Sequence, residues 1–287
     1  MSKSHQRARA PGTLLLAAPA IVLMAGGLAA PVARLAILAL HSESGAWTLS
    51  NFSTIASSRV EHYAMLNTFE LGISVTALCV FLGVPFAFAM SVAKRQLSTI
   101  LIAAVTIPFW TALLVRTYTW LVILQRHGLV NQLLTFLGVI DAPLPLVNNF
   151  TGTVIGMTHI MLPVFILPVY AAFRSIDPAF VRAALSLGAD RWTTVRLVIL
   201  PLAAAGIASG AGLVFVASLG FYVTPIILGG GHVAVLSVRI ERNIALFGDW
   251  GAASAIGLVL LVIVLVALPL TYAFIKRLWQ RRNWHYA

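Results

Sequence analysis

Six apolar runs, each long enough to cross a bilayer as a helix, divide this chain. A hydrocarbon core about 30 Å thick needs roughly 20 consecutive, mostly apolar helical residues. Segments near 13–40, 66–92, 99–124, 151–173, 202–228 and 252–275 meet that requirement. Only 9% of the 287 residues are charged and 60% are hydrophobic. The mean hydropathy is +0.95. A soluble domain needs about a quarter of its residues charged to cover its surface, so a water-soluble fold is excluded.

The net charge of +11 does not indicate a nucleic-acid partner. Its charges fall between the apolar runs, as topology signals do, instead of along one polar face. With a cytoplasmic N-terminus, the inward segments hold Lys3, Arg7, Arg9, Lys94, Arg95, Arg174, Arg182, Arg191, Arg196, Lys276, Arg277, Arg281 and Arg282. That is most of the basic residues, so both termini are expected inside. The first run is too long for a signal peptide and is read as a retained anchor. Cys79, the sole cysteine, excludes an internal disulfide and reads as a small packing residue.

Two outward segments carry helical signals of their own. NQLLTFLGVI suggests a short interfacial helix, and HVAVLSVRIERNIALFGDW a helix too polar to span and folded back on the bundle.

The most polar strip, RAALSLGADRWTTVRLVILP, lies between the fourth and fifth runs. Asp177-Pro178 reads as an N-cap followed by proline at the first helical position. Phe180, Ala183, Ala184 and Leu187 then make one apolar face at i, i+3, i+4 and i+7. Gly188 stands where a glycine ends a helix. Asp190 is placed to cap a second helix, running through Trp192, Val195 and Ile199 into Pro201. The prediction is helix, glycine turn, helix, joined to the fifth span. A first helix this short needs something to dock against.

Charge inside a span is costly and marks candidate functional positions. Glu70 in the second span and Arg116, with Tyr118, in the third are therefore pathway candidates; Glu70 and Arg116 also have the option of pairing with each other. Phe221, Tyr222 and Pro225 near the end of the fifth span are gate candidates, since aromatics close a pore or hold a cation. His159 reads as a packed, hydrogen-bonded residue. The spacings Gly152/Gly156 and Gly206/Gly210 read as close helix packing. No GxxxxGK[ST] phosphate loop, HExxH or GxSxG is present, and the three lysines fit no nucleotide-binding pattern. An ion-coupled secondary transporter would carry internal repeats; none stands out.

The polar strip resembles the EAA loop of permease subunits of binding-protein-dependent ABC importers (the MetI-like superfamily). Arg182-Ala183-Ala184, Gly188-Ala189 and Val198-Ile199-Leu200-Pro201 keep that loop's spacing, with Arg182 in the place of its glutamate. WTLSNFSTI, PFWTALLVRTYTW, GLVNQLL and YVTPIILGGG are similar to the spermidine/putrescine-type branch, and the likeness spans most of 47–270. It implies an all-α membrane protein of six spans with a coupling-helix loop at 174–201, between spans four and five. The implied division is a cytoplasmic tail 1–12, a first span 13–40, a periplasmic segment 41–65, a core 66–275 and a cytoplasmic tail 276–287. It implies further that Asp177, Arg182, Ala183, Ala184, Gly188, Ala189 and Pro201 serve coupling to an ABC ATPase dimer. ATP and Mg would be bound by that ATPase, and no cofactor by this chain, which would not itself be an enzyme. The other implied partners are a second six-span permease subunit, a periplasmic binding protein and lipid of the bacterial inner membrane. The implied solute is polyamine-like. An opine, an amino-acid-like solute, an aminophosphonate and ferric iron are the alternatives.

Overall fold

The protein's computed structural model describes residues 10–41 and 46–283. Residues 1–9 of the expected N-terminal tail, 42–45 of the expected periplasmic segment and 284–287 of the expected C-terminal tail lie outside the described residues. Among those described, helices account for the regular structure, and the one β-type pairing is an isolated bridge between His41 and Trp47. Five helices are long and apolar enough to cross a membrane, or six if one bent pair counts as a span.

Three helices form the core. These are α3 (Arg59–Val92), α7 (Phe150–Arg174) and α10 (Leu200–Leu219), the last continuing a helix that starts at Arg191. Phe165, Met157, Val75, Val169 and Val214 are fully buried between them. Lipid tails are as apolar as these side chains, so shape fit and close backbone approach must hold the helices together. The glycines show it. A Cβ on Gly206 would strike the Ala172 side chain, and one on Gly210 would meet Phe165 and Val169 at 3.2 Å. Gly206/Gly210 is thus a packing site, as expected. Gly152 of the other pair abuts the Leu146 carbonyl upstream of its own helix, while Gly156 receives Leu228. Cys79 is buried on the same interface, 3.7 Å from the Thr158 carbonyl.

Around this core lie α1 (Ala10–Ala39) and α13 (Trp250–Asn283), which pack on each other. Leu23, Met24 and Leu28 of α1 stay exposed, as befits a helix facing lipid. The apolar span of α13, Trp250–Ala273, lies close to the expected 252–275, and the helix itself runs on to Asn283. A short α2 (Ser50–Ser57) precedes α3, which starts seven residues before the expected 66.

Two expected spans are broken. The third is not one helix over 99–124. It consists of α4 (Arg95–Thr106), a 3₁₀ turn (Ile107–Trp110) and α5 (Leu113–Leu124), with α6 (Leu129–Phe136) beyond; the two arms meet at 99°. Pro108 leads into extended backbone at Thr111, which ends one helix and starts another. The fifth, expected over 202–228, stops at Leu219 and resumes as α11 (Val223–Leu228) after Gly220, Phe221 and Tyr222. The two short helices expected from the sequence outside the spans are present as α6 and α12 (Leu236–Ala245).

Candidate functional site

The strip at 177–201 folds as its punctuation requires. Asp177 caps α8 (Pro178–Ser186) by accepting from the Ala179 amide at 2.8 Å. At the other end, the Gly188 amide donates to the Leu185 carbonyl at 3.0 Å and the Ala189 amide to the Ala184 carbonyl at 3.1 Å. This pair of bonds is the Schellman cap, which needs a left-handed residue between them; Gly188 supplies it with φ +86°. The fixed distance from Ala184 to Gly188-Ala189 therefore has a geometric reason: it is the closing ring of the helix end. Asp190 then caps α9 (Arg191–Thr194), accepting from the Trp192 amide at 3.1 Å. The Thr193 hydroxyl and neighbouring amides hold its carboxyl below the usual range.

A widened, π-type turn at Val195–Ile199 carries α9 into α10. The Leu200 amide reaches back to Val195. The turn lies just before Pro201, whose ring crowds the carbonyl four residues back and which has no amide to offer it. Pro201 therefore does not end a helix. From Arg191 onward the strip and α10 form one continuous helix to Leu219, with α8 set apart from it by the Gly188 turn.

No described part of the chain covers the knuckle. No residue of α8 is buried. Phe180 is 56% exposed and Leu187 88% exposed, so the apolar face read from the sequence points away from the protein's own core. Arg182 is exposed and forms no ion pair among the described residues.

The far end of α10 reaches the second candidate region. There Phe221 and Tyr222 are half-buried against the core, and Pro225 is buried. The Ser237 hydroxyl of α12 donates to the Phe221 carbonyl at 2.8 Å. Thr224 of α11 lies 3.4 Å from Thr117 of α5 through their hydroxyls. That contact brings the Arg116–Tyr118 turn beside the 221–225 segment. Tyr118 itself is exposed, as is Glu70 on α3. Glu70 and Arg116 do not pair with each other. His159 of α7, expected to be hydrogen-bonded, instead stands at the surface with its ring edge-on to Trp120 at 5.4 Å.

The ion pair that does form escaped the sequence reading. Arg239 of α12 binds Glu61 of α3 at 2.6 and 2.9 Å. Beside it, Asn67 donates to the Ala234 carbonyl at 3.0 Å and the Leu236 amide to Thr68 at 2.9 Å. These bonds strap α12 across α3. One signal for them was local: Ser58-Arg59-Val60-Glu61 is a capping-box pattern, and Ser58 does accept from the Glu61 amide. It marks where α3 begins, and so places Glu61 inside a helix.

A family model for the inner membrane component of binding-protein-dependent transport systems matches residues 79–280. This chain belongs to that family. The transport family accordingly makes it a multi-pass inner-membrane permease of the ABC-importer type, as the motifs had implied. The chain is 33% identical over 202 residues to the spermidine/putrescine transport system permease protein PotB of Haemophilus influenzae, covering 70% of this chain and 71% of that protein. It is 29% identical over 238 residues to PotB of Escherichia coli K12, covering 82% and 85%. Among solved structures, a bacterial ABC transporter involved in alginate import matches with a TM-score of 0.74 at 20% identity, over 92% of this chain and 96% of that one. The last likeness supports the permease fold.

Proposed function

We propose that this chain forms half of the translocation pathway of an ATP-driven importer and passes a polyamine-like solute released by an external binding protein. In this reading the bent pair at 95–136 is the third of six spans. The α8 end of the bundle faces the cytoplasm, and the α6–α12 end faces outward. A separate ATPase dimer binds ATP and Mg, and a second six-span permease supplies the other half of the path. The polyamine assignment draws on the PotB relatives.

One observation carries the proposal: an exposed, doubly capped knuckle joins through the Gly188 turn to one continuous helix, Arg191–Leu219, which ends at the Gly220–Tyr222 break. A push on Phe180 and Leu187 crosses the Gly188 turn, which the Schellman bonds and the Asp190 cap hold, and from Arg191 onward is carried along one helix to the aromatic segment. The alanines at 183 and 184 permit close approach by a partner. Arg182 calls for an acidic position on the ATPase where a relative with glutamate would present a basic one.

The test is reconstitution. The chain, its ATPase, the companion permease and the binding protein in liposomes should take up spermidine or putrescine only with ATP. Uptake by this chain alone on an ion gradient would make it a secondary transporter and end the importer reading.

A further inference from the structure

Arg116 is a cation in the membrane-spanning region that the described residues leave unbalanced. Its Nε atom is buried and has no hydrogen-bond partner among them. The guanidinium stacks over Phe109 across the break in the third span, 5.7 Å from the ring centre. No described carboxylate reaches it. Glu61 belongs to Arg239. Asp177, Asp190 and Asp249 accept from backbone amides at helix starts. Glu70, Asp141 and Glu241 form no ion pair among the described residues. One turn along α5 from Arg116, Trp120 holds the edge of His159, which lies within electrostatic range of Arg116. The result is a cationic ledge with an aromatic floor, partly open at the protein surface.

A ring face offers a guanidinium no acceptor, and a charge at membrane depth is kept only where something pairs with it. A carboxylate fits the planar fork of donors in two-point fashion. We propose that Arg116, with His159 and Trp120 beside it, receives a carboxylate presented from outside this chain. The inference rests on the permease reading, because the carboxylate must arrive across a shared path. Two sources have this chemistry: an acidic side chain of the companion permease, and an acidic group on the solute. A polyamine is repelled by Arg116, so with such a solute the companion is the source.

Charged thiol reagents read the ledge directly. The chain carrying His159→Cys and Cys79→Ala is placed alone in lipid nanodiscs and treated with anionic or cationic methanethiosulfonate. The anionic reagent should react roughly tenfold faster, an advantage of the size one nearby charge gives at partly buried depth. Arg116→Lys should keep the preference, and Arg116→Gln should abolish it. In the complete importer, a companion carboxylate removes the preference and slows both reagents. A solute carboxylate leaves the preference in place until L-glutamate is added at saturation, and putrescine has no effect. Equal rates in the free chain, a preference that survives Arg116→Gln, or an introduced thiol unreactive to both reagents would overturn the proposal. So would a preference that persists in the importer with either solute. Failure of the permease reading shows separately, as no co-purification with an ATPase and a second six-span chain, and leaves the free-chain result standing.

Discussion

At the scale of single residues, the Glu61–Arg239 pair bears most directly on stability. Glu61 is 7% exposed, and one of its oxygens is buried without a partner among the described residues. Breaking a buried pair from one side leaves an unbalanced charge and costs about 3–5 kcal/mol. Arg239→Gln should therefore lower the thermal unfolding midpoint of the detergent-solubilised protein well beyond the effect of Arg242→Gln nearby. The double variant Glu61→Leu with Arg239→Met should recover most of the loss, and no recovery would show that the strap matters for something other than charge balance. Asp190 makes a smaller, pH-dependent contribution. Its folded-state pKa is depressed by the Thr193 hydroxyl. Its cap is therefore at full strength above the unfolded value near 3.9, and is lost as pH falls through the lower folded value. Trp192 fluorescence should report that loss on acidification, and Asp190→Asn should flatten the response. Asp177, Asp190 and Gly188 were legible in the sequence because each acts on amides within a few residues. The Glu61–Arg239 pair was not, because its partners are 178 positions apart and only the fold brings them together.

At the scale of elements, the knuckle tests whether rigidity matters. Gly188 has φ +86° and open space where a Cβ would stand, so a side chain there meets no neighbour and acts through the backbone alone. A β-branched residue held left-handed costs roughly 1–2 kcal/mol, enough to undo the Schellman cap without touching the membrane core. Gly188→Val should insert normally, keep its unfolding midpoint and lose most ATP-driven uptake in the complete importer. Uptake at the wild-type rate would mean that the helix end is not the lever. Gly206→Val should behave in the opposite way. A Cβ there collides with Ala172 of α7, so overpacking of about 1–3 kcal/mol should appear as lost stability before any coupling defect. The same contrast explains what the sequence concealed. Hydropathy counts apolar residues and ignores the path of the backbone, so 99–124 and 202–228 read as unbroken spans. Pro108 and Gly220 stood in those runs as breakers. Proline and glycine are tolerated inside membrane helices, as Pro163 and Pro168 inside α7 demonstrate, so composition alone did not say which ones break.

At the scale of the whole molecule, α7 separates two regions that the proposed importer cycle requires to communicate. Its C-terminal end leads to the knuckle. Its N-terminal end adjoins α11, where the Asn148 amide donates to the Leu228 carbonyl at 2.8 Å. Between them runs the continuous helix from Arg191 to Leu219, and beyond its end α12 ties the break to α3 through Ser237, Leu236 and Arg239. If solute passes at Phe221 and Tyr222, α12 cannot stay fixed on α3 while α10 moves, because Ser237 holds the Phe221 carbonyl. The strap is then a closure that each cycle must slacken. Cysteines at Asn67 and Ala234, whose present contact spans 3.0 Å, joined by a short thiol-cleavable reagent, should hold it shut. Transport should stop while the importer stays assembled and its ATPase turns over without solute movement, and reduction should restore uptake. Full uptake with the crosslink in place would show that α12 rides with α3 throughout and that the opening lies elsewhere along α5 and α11.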